Sequence, residues 1–310
     1  MNEASQEFPE TQFRCGIVAL VGCANVGKSS LLNCILKEKV SIVSNVAQTT
    51  RNMVRAIHSD ERGQLVFLDT PGVHKASYDL GRIMNRTARA SISGSDVALL
   101  VLDPSTHVWD EDEGWMRKLL RAEDNHLLFV LNKHDLAWPF EQAYRDCWQR
   151  ICEEEGVSRP VMWMPVSAQT GEGIEDLLSI LFDAVPCGPA LFPEDMLTDF
   201  PRKIAIADVV REKYFKVLRD EIPHDLAVRV DDIKEEGGGW IVYADILINR
   251  PSQKGIIIGQ KGRLLRKVKR EAELDLASMY SCPVELKLWV KVEKGWTKNH
   301  WVLKQLGYVE

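Results

Sequence analysis

Gly22-Cys23-Ala24-Asn25-Val26-Gly27-Lys28-Ser29 matches the phosphate-loop pattern G-x-x-x-x-G-K-[ST]. It follows the apolar run Cys15 to Val21 and precedes the helical pattern Lys28 to Leu36, a strand before and a helix after. Such a loop lets backbone N–H groups and a helix N-terminus face a phosphate chain. The residues placed on the phosphates are Asn25, Val26, Gly27, Lys28, Ser29 and Ser30; Lys28 reaches the β- and γ-phosphates, and the Ser29 hydroxyl is a ligand for Mg2+.

Outward from this loop the same rhythm repeats. Leu65 to Leu68 precedes Asp79 to Ala90, Val97 to Leu102 precedes Glu111 to Leu120, His126 to Leu131 precedes Glu141 to Glu154, and Val161 to Val166 precedes Gly173 to Ala184. Short β-branched runs alternating with amphipathic stretches imply an α/β fold, a mostly parallel sheet with helices on both faces. Val40 to Val43 offers one further edge strand.

Three more polar signals stand at strand ends. Asp69-Thr70-Pro71-Gly72 follows the strand ending at Leu68, where a carboxylate can bind Mg2+ through water and Gly72 can turn toward a γ-phosphate. Asn132-Lys133-His134-Asp135 follows Leu131: an ionised Asp135 accepts from both the ring N–H and the exocyclic amine of guanine, a pair adenine does not offer. In that reading Asn132 bonds the N7 edge, the Lys133 stem covers the base, and Ser167-Ala168 supplies the Ala168 N–H to guanine O6. Each piece alone reads equally as a turn. In this order, at successive strand ends, they specify a guanine-nucleotide site.

Between the loop and Asp69 lies Ala47-Gln48-Thr49-Thr50-Arg51. A threonine there, Thr50 in preference to Thr49, completes a Mg2+ shell when a γ-phosphate is present, so the segment is expected to act as a switch. The metal set is thus Ser29, Thr50 and Asp69, and the catalytic set Lys28, Thr50 and Gly72. Val73 stands where small GTPases often carry the glutamine that orients the attacking water, so unaided turnover is expected to be slow. His74 is a tempting base, but a surface loop histidine is the stronger reading.

The rhythm ends at Pro186-Cys187-Gly188-Pro189, and the prolines up to Pro201 read as a linker. The division expected is 12–186, a linker 187–201, and a second domain 202–310. The second part carries a helical pattern from Ile204 to Leu218, strands Ala227 to Lys234 and Trp240 to Ile248, a basic helix Arg263 to Met279 and a strand Val284 to Val292. It holds 21 Lys and Arg against 16 Asp and Glu, whereas the first 201 residues hold 18 against 29. The net charge of −6 therefore hides a positive end. Seven basic and no acidic residues fall between Lys254 and Arg270, around Gly259-Gln260-Lys261-Gly262. A G-x-x-G loop between helices lets a nucleic-acid backbone come close beside an apolar groove. The RNA candidates are Ile258, Gly259, Gln260, Lys261, Gly262, Arg263 and Lys267, with Ile256, Ile257, Leu264 and Leu265 as groove or core and Trp289, Trp296 and Trp301 as stacking or packing residues.

Seven scattered cysteines without a C-x-x-C pair suggest neither disulfides nor zinc and fit a reducing cytoplasm. No run reaches the ~18 apolar residues of a spanning helix, which leaves loose membrane contact open.

The sequence closely resembles the Era family of ribosome-assembly GTPases. The resemblance rests on the segments above together with Phe192-Pro-Glu-Asp195, Val210-Arg-Glu-Lys213, Ile258-Gly-Gln-Lys-Gly262, Leu288-Trp-Val-Lys-Val292 and Leu306-Gly-Tyr-Val309, and so covers nearly the whole chain. It implies GTP hydrolysis with a hydrophobic residue in place of glutamine, Mg2+ as cofactor, and K+ held partly by Asn25. It further implies a smaller α+β, type II KH domain bound to the 3′ end of 16S-type small-subunit ribosomal RNA, in a monomer whose partners are GTP, GDP and the small ribosomal subunit. Cys23-Ala24 departs from the family's usual Arg-Pro or similar pair, and His134 from the more usual Val or Cys. Two other functions compete: an RNA-anchored scaffold with residual hydrolysis, and a membrane-associated signalling GTPase whose basic helix meets anionic lipid.

Overall fold

A short run of apolar residues buried on both faces fits a central strand of a covered sheet. Val97–Leu102 is such a run, with all six side chains buried. A computed structural model describes residues 13–44, 49–71, 79–122, 125–219 and 222–309, the side chains of 79, 81 and 89 excepted. Its first part runs β1 (Arg14–Val21), α1 (Lys28–Leu36), β2 (Val54–Asp60), β3 (Gly63–Asp69), α2 (Asp79–Ala90), β4 (Val97–Leu102), α3 (Asp110–Leu120), β5 (His126–Leu131), α4 (Glu141–Glu155), β6 (Met162–Pro165) and α5 (Ile174–Ala184). The sheet order is β2-β3-β1-β4-β5-β6, parallel except where β2 runs against β3. The order reverses at β1, between β3 and β4, which opens a crevice at the carboxyl ends of the strands.

The edge strand is β2, and Val40 to Val43 is no strand. Asn33 of α1 has taken that segment's backbone: its Oδ1 accepts from the N–H groups of Val40 and Ser41 at 3.0 and 2.9 Å, and its Nδ2 donates to the Ser41 carbonyl at 2.7 Å. Those groups are no longer free for a ladder. The proline-rich stretch that follows α5 is strapped along the sheet edge. Gln64 of β3 bonds the backbone of Leu191 and Phe192, and the Ile57 N–H donates to the Leu197 carbonyl at 2.9 Å.

The second part runs α6 (Arg202–Phe215), α7 (Ile222–Asp225), β7 (Leu226–Glu236), β8 (Gly239–Ile248), α8 (Gln253–Ile258), α9 (Arg263–Tyr280), β9 (Val284–Val292) and α10 (His300–Gln305). Its sheet, β7-β8-β9, pairs β7 with β8 antiparallel and β8 with β9 parallel. Alternate strand residues such as Val242, Ala244 and Ile246 pack on Ile206, Val210, Val268 and Ala272 of α6 and α9. The other face is capped by Trp296, Val302, Leu303, Leu306 and Tyr308, into which Leu80 and Met84 of α2 also insert. Trp296 is therefore core, while Trp289 and Trp301 are half or more exposed, at 50% and 66%.

The two parts meet in a buried polar seam. Arg51 donates to the carbonyls of Leu226 and Pro223 at 2.8 and 3.0 Å, with Phe215 and Trp296 rings beside its guanidinium. Arg211 of α6 donates to the Thr49 carbonyl and the Tyr308 hydroxyl, both at 2.8 Å, and pairs with buried Asp208 at 2.9 Å. Burial pushes the Asp208 carboxyl above its usual range while Arg211 and Arg51 draw it back. Removing one partner of a buried pair strands the other charge. Arg211→Ala is accordingly expected to lower the unfolding midpoint in urea by the equivalent of about 3 kcal/mol; an unchanged midpoint contradicts the role given to this seam.

Candidate functional site

The crevice above β1 is lined by Asn25, Gly27, Lys28, Ser29, Thr50 and Asp135, among others, and Ser30, Asn132, Lys133 and Ala168 also face it. Val26 and Ser167 are buried behind this lining. Gly27 caps α1 with φ 98°, and a Cβ there would lie 2.3 Å from the Asn132 Nδ2, so the loop closes only around glycine. Lys28, itself buried, donates to the carbonyls of Gly22 and Cys23 at 3.0 and 2.6 Å. An ammonium has three donors, which leaves one for a ligand. Burial pulls its pKa below the ordinary lysine value, and Asp69 opposes that shift.

Beneath the loop, Asp69 is fully buried at the end of β3. Its Oδ2 accepts from the Ser29 and Ser41 hydroxyls, both at 2.7 Å, while its Oδ1 is buried with no partner among the described residues. Thr50 Oγ1 lies 2.9 Å from Ser29 Oγ, whereas the Thr49 hydroxyl meets Ser44 at 2.6 Å. Two hydroxyls and a carboxylate oxygen without a donor make a hard-oxygen set of the kind Mg2+ prefers. Burial raises the Asp69 pKa, and Ser29 and Lys28 counter it. Gly72, Val73, His74 and Gln48 lie outside the described residues.

At the other end of the crevice Asn132 is a brace. Its Nδ2 donates to the Val26 carbonyl at 2.8 Å and its Oδ1 accepts the Ala168 N–H at 3.1 Å, tying the phosphate loop to the loop after β6. The N7 and O6 contacts expected of Asn132 and Ala168 must therefore share groups already engaged within the protein. Ser167 donates to Asp135, which fixes that carboxylate, and Lys133 is drawn out by an ion pair with Asp103. His134 turns away to Glu172 at 2.8 Å, and its ring lies tilted against Trp138.

A second candidate site lies at the α8–α9 junction. Gly259, Lys261 and Gly262 all have positive φ, at 70°, 51° and 73°, and the Gly262 N–H closes the turn on the Gly259 carbonyl at 3.0 Å. Gln260, Lys261, Arg263 and Lys267 are exposed, and Ile258 is half-buried. Ile257 belongs to the core, and Ile256 is 47% exposed. Leu264 and Leu265 pack partly on that core. Among the described residues Lys267 pairs loosely with Glu271, at 3.8 Å.

Residues 17–133 match the family described as 50S ribosome-binding GTPase, and residues 221–297 match the family described as KH domain. A GTPase Era of Geobacter sp. (strain M21) is 39% identical over 301 residues, which span 96% of this chain and 99% of the relative. The chain belongs to the Era family of GTPases. A crystal structure of Aquifex aeolicus Era bound to GDP·AlF4− superposes with a TM-score of 0.88 at 33% identity, covering 96% of this chain and all of that one. An Era in complex with MgGDPNP and nucleotides 1506–1542 of 16S ribosomal RNA superposes with a TM-score of 0.87 at 33% identity and the same coverage. The protein is thus a GTPase, with a P-loop α/β domain followed by a KH domain.

The Cys23-Ala24 pair in the phosphate loop has a physical account. The Cys23 thiol turns away from the crevice and donates to buried Asp112 of α3 at 2.9 Å, and Asp112 also accepts from the Trp109 N–H and the Tyr144 hydroxyl. Burial and Asp112 raise the Cys23 pKa, so the thiol stays protonated and can donate. Asp112, Asp103 and Ser41 escape a sequence reading because each acts on a partner distant in the chain, and Asn33 because nothing in its helical pattern marks its side chain for the backbone of Val40 and Ser41. Only the acidic run at the start of α3 hinted at one of them.

Proposed function

We propose that this protein binds and hydrolyses GTP, binds the 3′ end of 16S-type small-subunit ribosomal RNA, and couples the two during small-subunit maturation. One observation carries the coupling. Thr50, beside the phosphate loop, is flanked by two residues held in the second domain: the Thr49 carbonyl by Arg211, and the Arg51 side chain by the α7–β7 backbone. Any rearrangement that draws Thr50 toward a γ-phosphate pulls on both.

In this reading the chain divides as 12–186, 187–201 and 202–310. Asn25 to Ser30 cradle the phosphates; Lys28, Thr50 and Gly72 stabilise the charge that develops on the transferred group. Ser29, Thr50 and Asp69 hold Mg2+, and the orphaned Asp69 Oδ1 is the observation that fits them to it. Mg2+ bound there neutralises charge on the β- and γ-phosphates. Asp135, positioned by Ser167, reads guanine; Asn132, Lys133 and Ala168 complete the base pocket. Ile258 to Arg263, with Lys267, take the RNA. The relative solved with a 16S segment supports that assignment, as does the exposed basic turn.

The proposed setting is a cytoplasmic monomer. Among the described residues no helix is long and apolar enough to cross a membrane. Flotation with anionic liposomes separates the signalling alternative, and turnover measured with and without ribosomal RNA separates the scaffold. The main test is crosslinking to cellular RNA with mapping of the contacted nucleotides. Crosslinks outside the small-subunit 3′ end contradict the assignment.

With Val73 in the glutamine position, we also assign K+ a share of the electrostatic work, with Asn25 as one ligand. Asn25 sits at φ 65°, a conformation glycine also tolerates. Hydrolysis is expected to run faster in K+ than in Na+ at equal ionic strength, and Asn25→Gly is expected to erase the difference. Equal single-turnover rates of the wild type in both salts rule this out.

A further inference from the structure

The Asp69 carboxylate receives two hydroxyls on one oxygen, and only Ser29 comes from the phosphate loop. The other donor, Ser41, belongs to the segment between α1 and the switch, where no nucleotide contact was expected. Three constraints converge on it. The Asn33 side chain fixes both the N–H and the carbonyl of Ser41. Two residues earlier, Lys39 is held across the domain boundary by Glu212 of α6 and Asp275 of α9, each at 2.7 Å. One residue later, Ile42 is buried in the apolar cluster of the second domain. Ser41 is itself only 2% exposed, and its hydroxyl lies 2.7 Å from Asp69 Oδ2.

A residue that needed only to satisfy a buried hydroxyl would not require its backbone clamped on both sides. With Oδ2 taken by two donors, the rotation of the carboxylate is fixed, and Oδ1 is the oxygen left without a partner among the described residues. We propose that Ser41 is a positioning residue for the divalent-cation site: its hydroxyl, aimed by Asn33 and by the Lys39 and Ile42 anchors, orients Asp69 toward the metal. This rests on the assignment of Asp69 as the metal carboxylate above. It also means that the second domain, through Lys39 and Ile42, helps to shape the metal site. Ser41 touches neither nucleotide nor metal and acts through Asp69. Groups that orient a metal's ligands commonly contribute tenfold or more to its affinity.

The test uses the full-length protein loaded with GDP and titrated with Mn2+, bound metal being read from the loss of the free Mn2+ electron paramagnetic resonance signal. Ser41→Ala removes one oxygen and leaves little void, and Ser41→Thr keeps the hydroxyl. Ser41→Ala is expected to raise the Mn2+ dissociation constant about tenfold, with affinity for a fluorescent GDP in EDTA unchanged, and Ser41→Thr to restore the wild-type value. Wild-type Mn2+ affinity in Ser41→Ala overturns the inference, as does an equal loss of GDP affinity in EDTA, which marks a general structural role. Asp69→Asn, measured alongside, separates the two assignments. If it too leaves Mn2+ affinity unchanged, the metal site itself is misplaced; if it weakens Mn2+ while Ser41→Ala does not, only the role of Ser41 fails.

Discussion

Asp135→Asn is expected to turn the nucleotide preference from GTP to XTP. The wild-type carboxylate accepts from the ring N–H and the exocyclic amine of guanine; xanthine carries a carbonyl in place of that amine and needs a donor opposite it. Asparagine supplies one acceptor and one donor in the same frame. The Ser167 hydroxyl that donates to Asp135 can still donate to the amide oxygen, so the side chain keeps its orientation. A buried polar group left facing the wrong partner discriminates by 10⁴-fold or more, so a change of about that order in the GTP to XTP affinity ratio is expected. A mutant that still prefers GTP places the base elsewhere.

Gly262→Asp is expected to abolish RNA binding with nucleotide affinity intact. At φ 73° the position is left-handed, and a Cβ would stand 3.0 Å from Arg266 Nη1, whose guanidinium already donates to the Lys261 carbonyl at 2.8 Å. The aspartate therefore strains the turn, draws Arg266 onto itself, and sets a negative charge where a phosphate must lie. Charge removal alone acts differently. Lys261→Ala is expected to weaken binding and reduce the salt slope by about one counterion. Titration with a single-stranded 3′-end oligonucleotide and with a fluorescent guanine nucleotide reads both variants. Wild-type RNA affinity in a nucleotide-binding Gly262→Asp protein makes the basic helix an ordinary solvated face.

The parts legible in the sequence are those written in local pattern. The phosphate loop stands between strand and helix by spacing alone, and β9 runs from Val284 to Val292 as its alternation suggested. Illegible were features set by single side-chain contacts, one of them near in the chain and the others far along it. Val40 to Val43 has the composition of a strand, yet one asparagine on α1 withdraws its backbone from pairing, and β2 takes the edge instead. Arg51 and Arg211 stand in segments that carry the family resemblance, yet nothing local tells that carbonyls of α7 and the Thr49 loop will surround them. Trp296, equally plausible as a base-stacking residue, closes the apolar cluster shared by α2 and α10. For the same reason Ser41 stayed hidden: its meaning lies in the distance to Asp69.

Coupling between nucleotide and RNA is the central claim, and it has one direct measurement: affinity for the 3′-end oligonucleotide with the protein loaded either with GDP or with a non-hydrolysable GTP analogue. The seam at Arg51 and Thr49 predicts tighter RNA binding in the GTP-analogue state by about fivefold or more, within the usual range of allosteric coupling. It also predicts that Arg51→Met brings the two affinities together. Equal affinity of the wild-type protein in both nucleotide states would contradict the account.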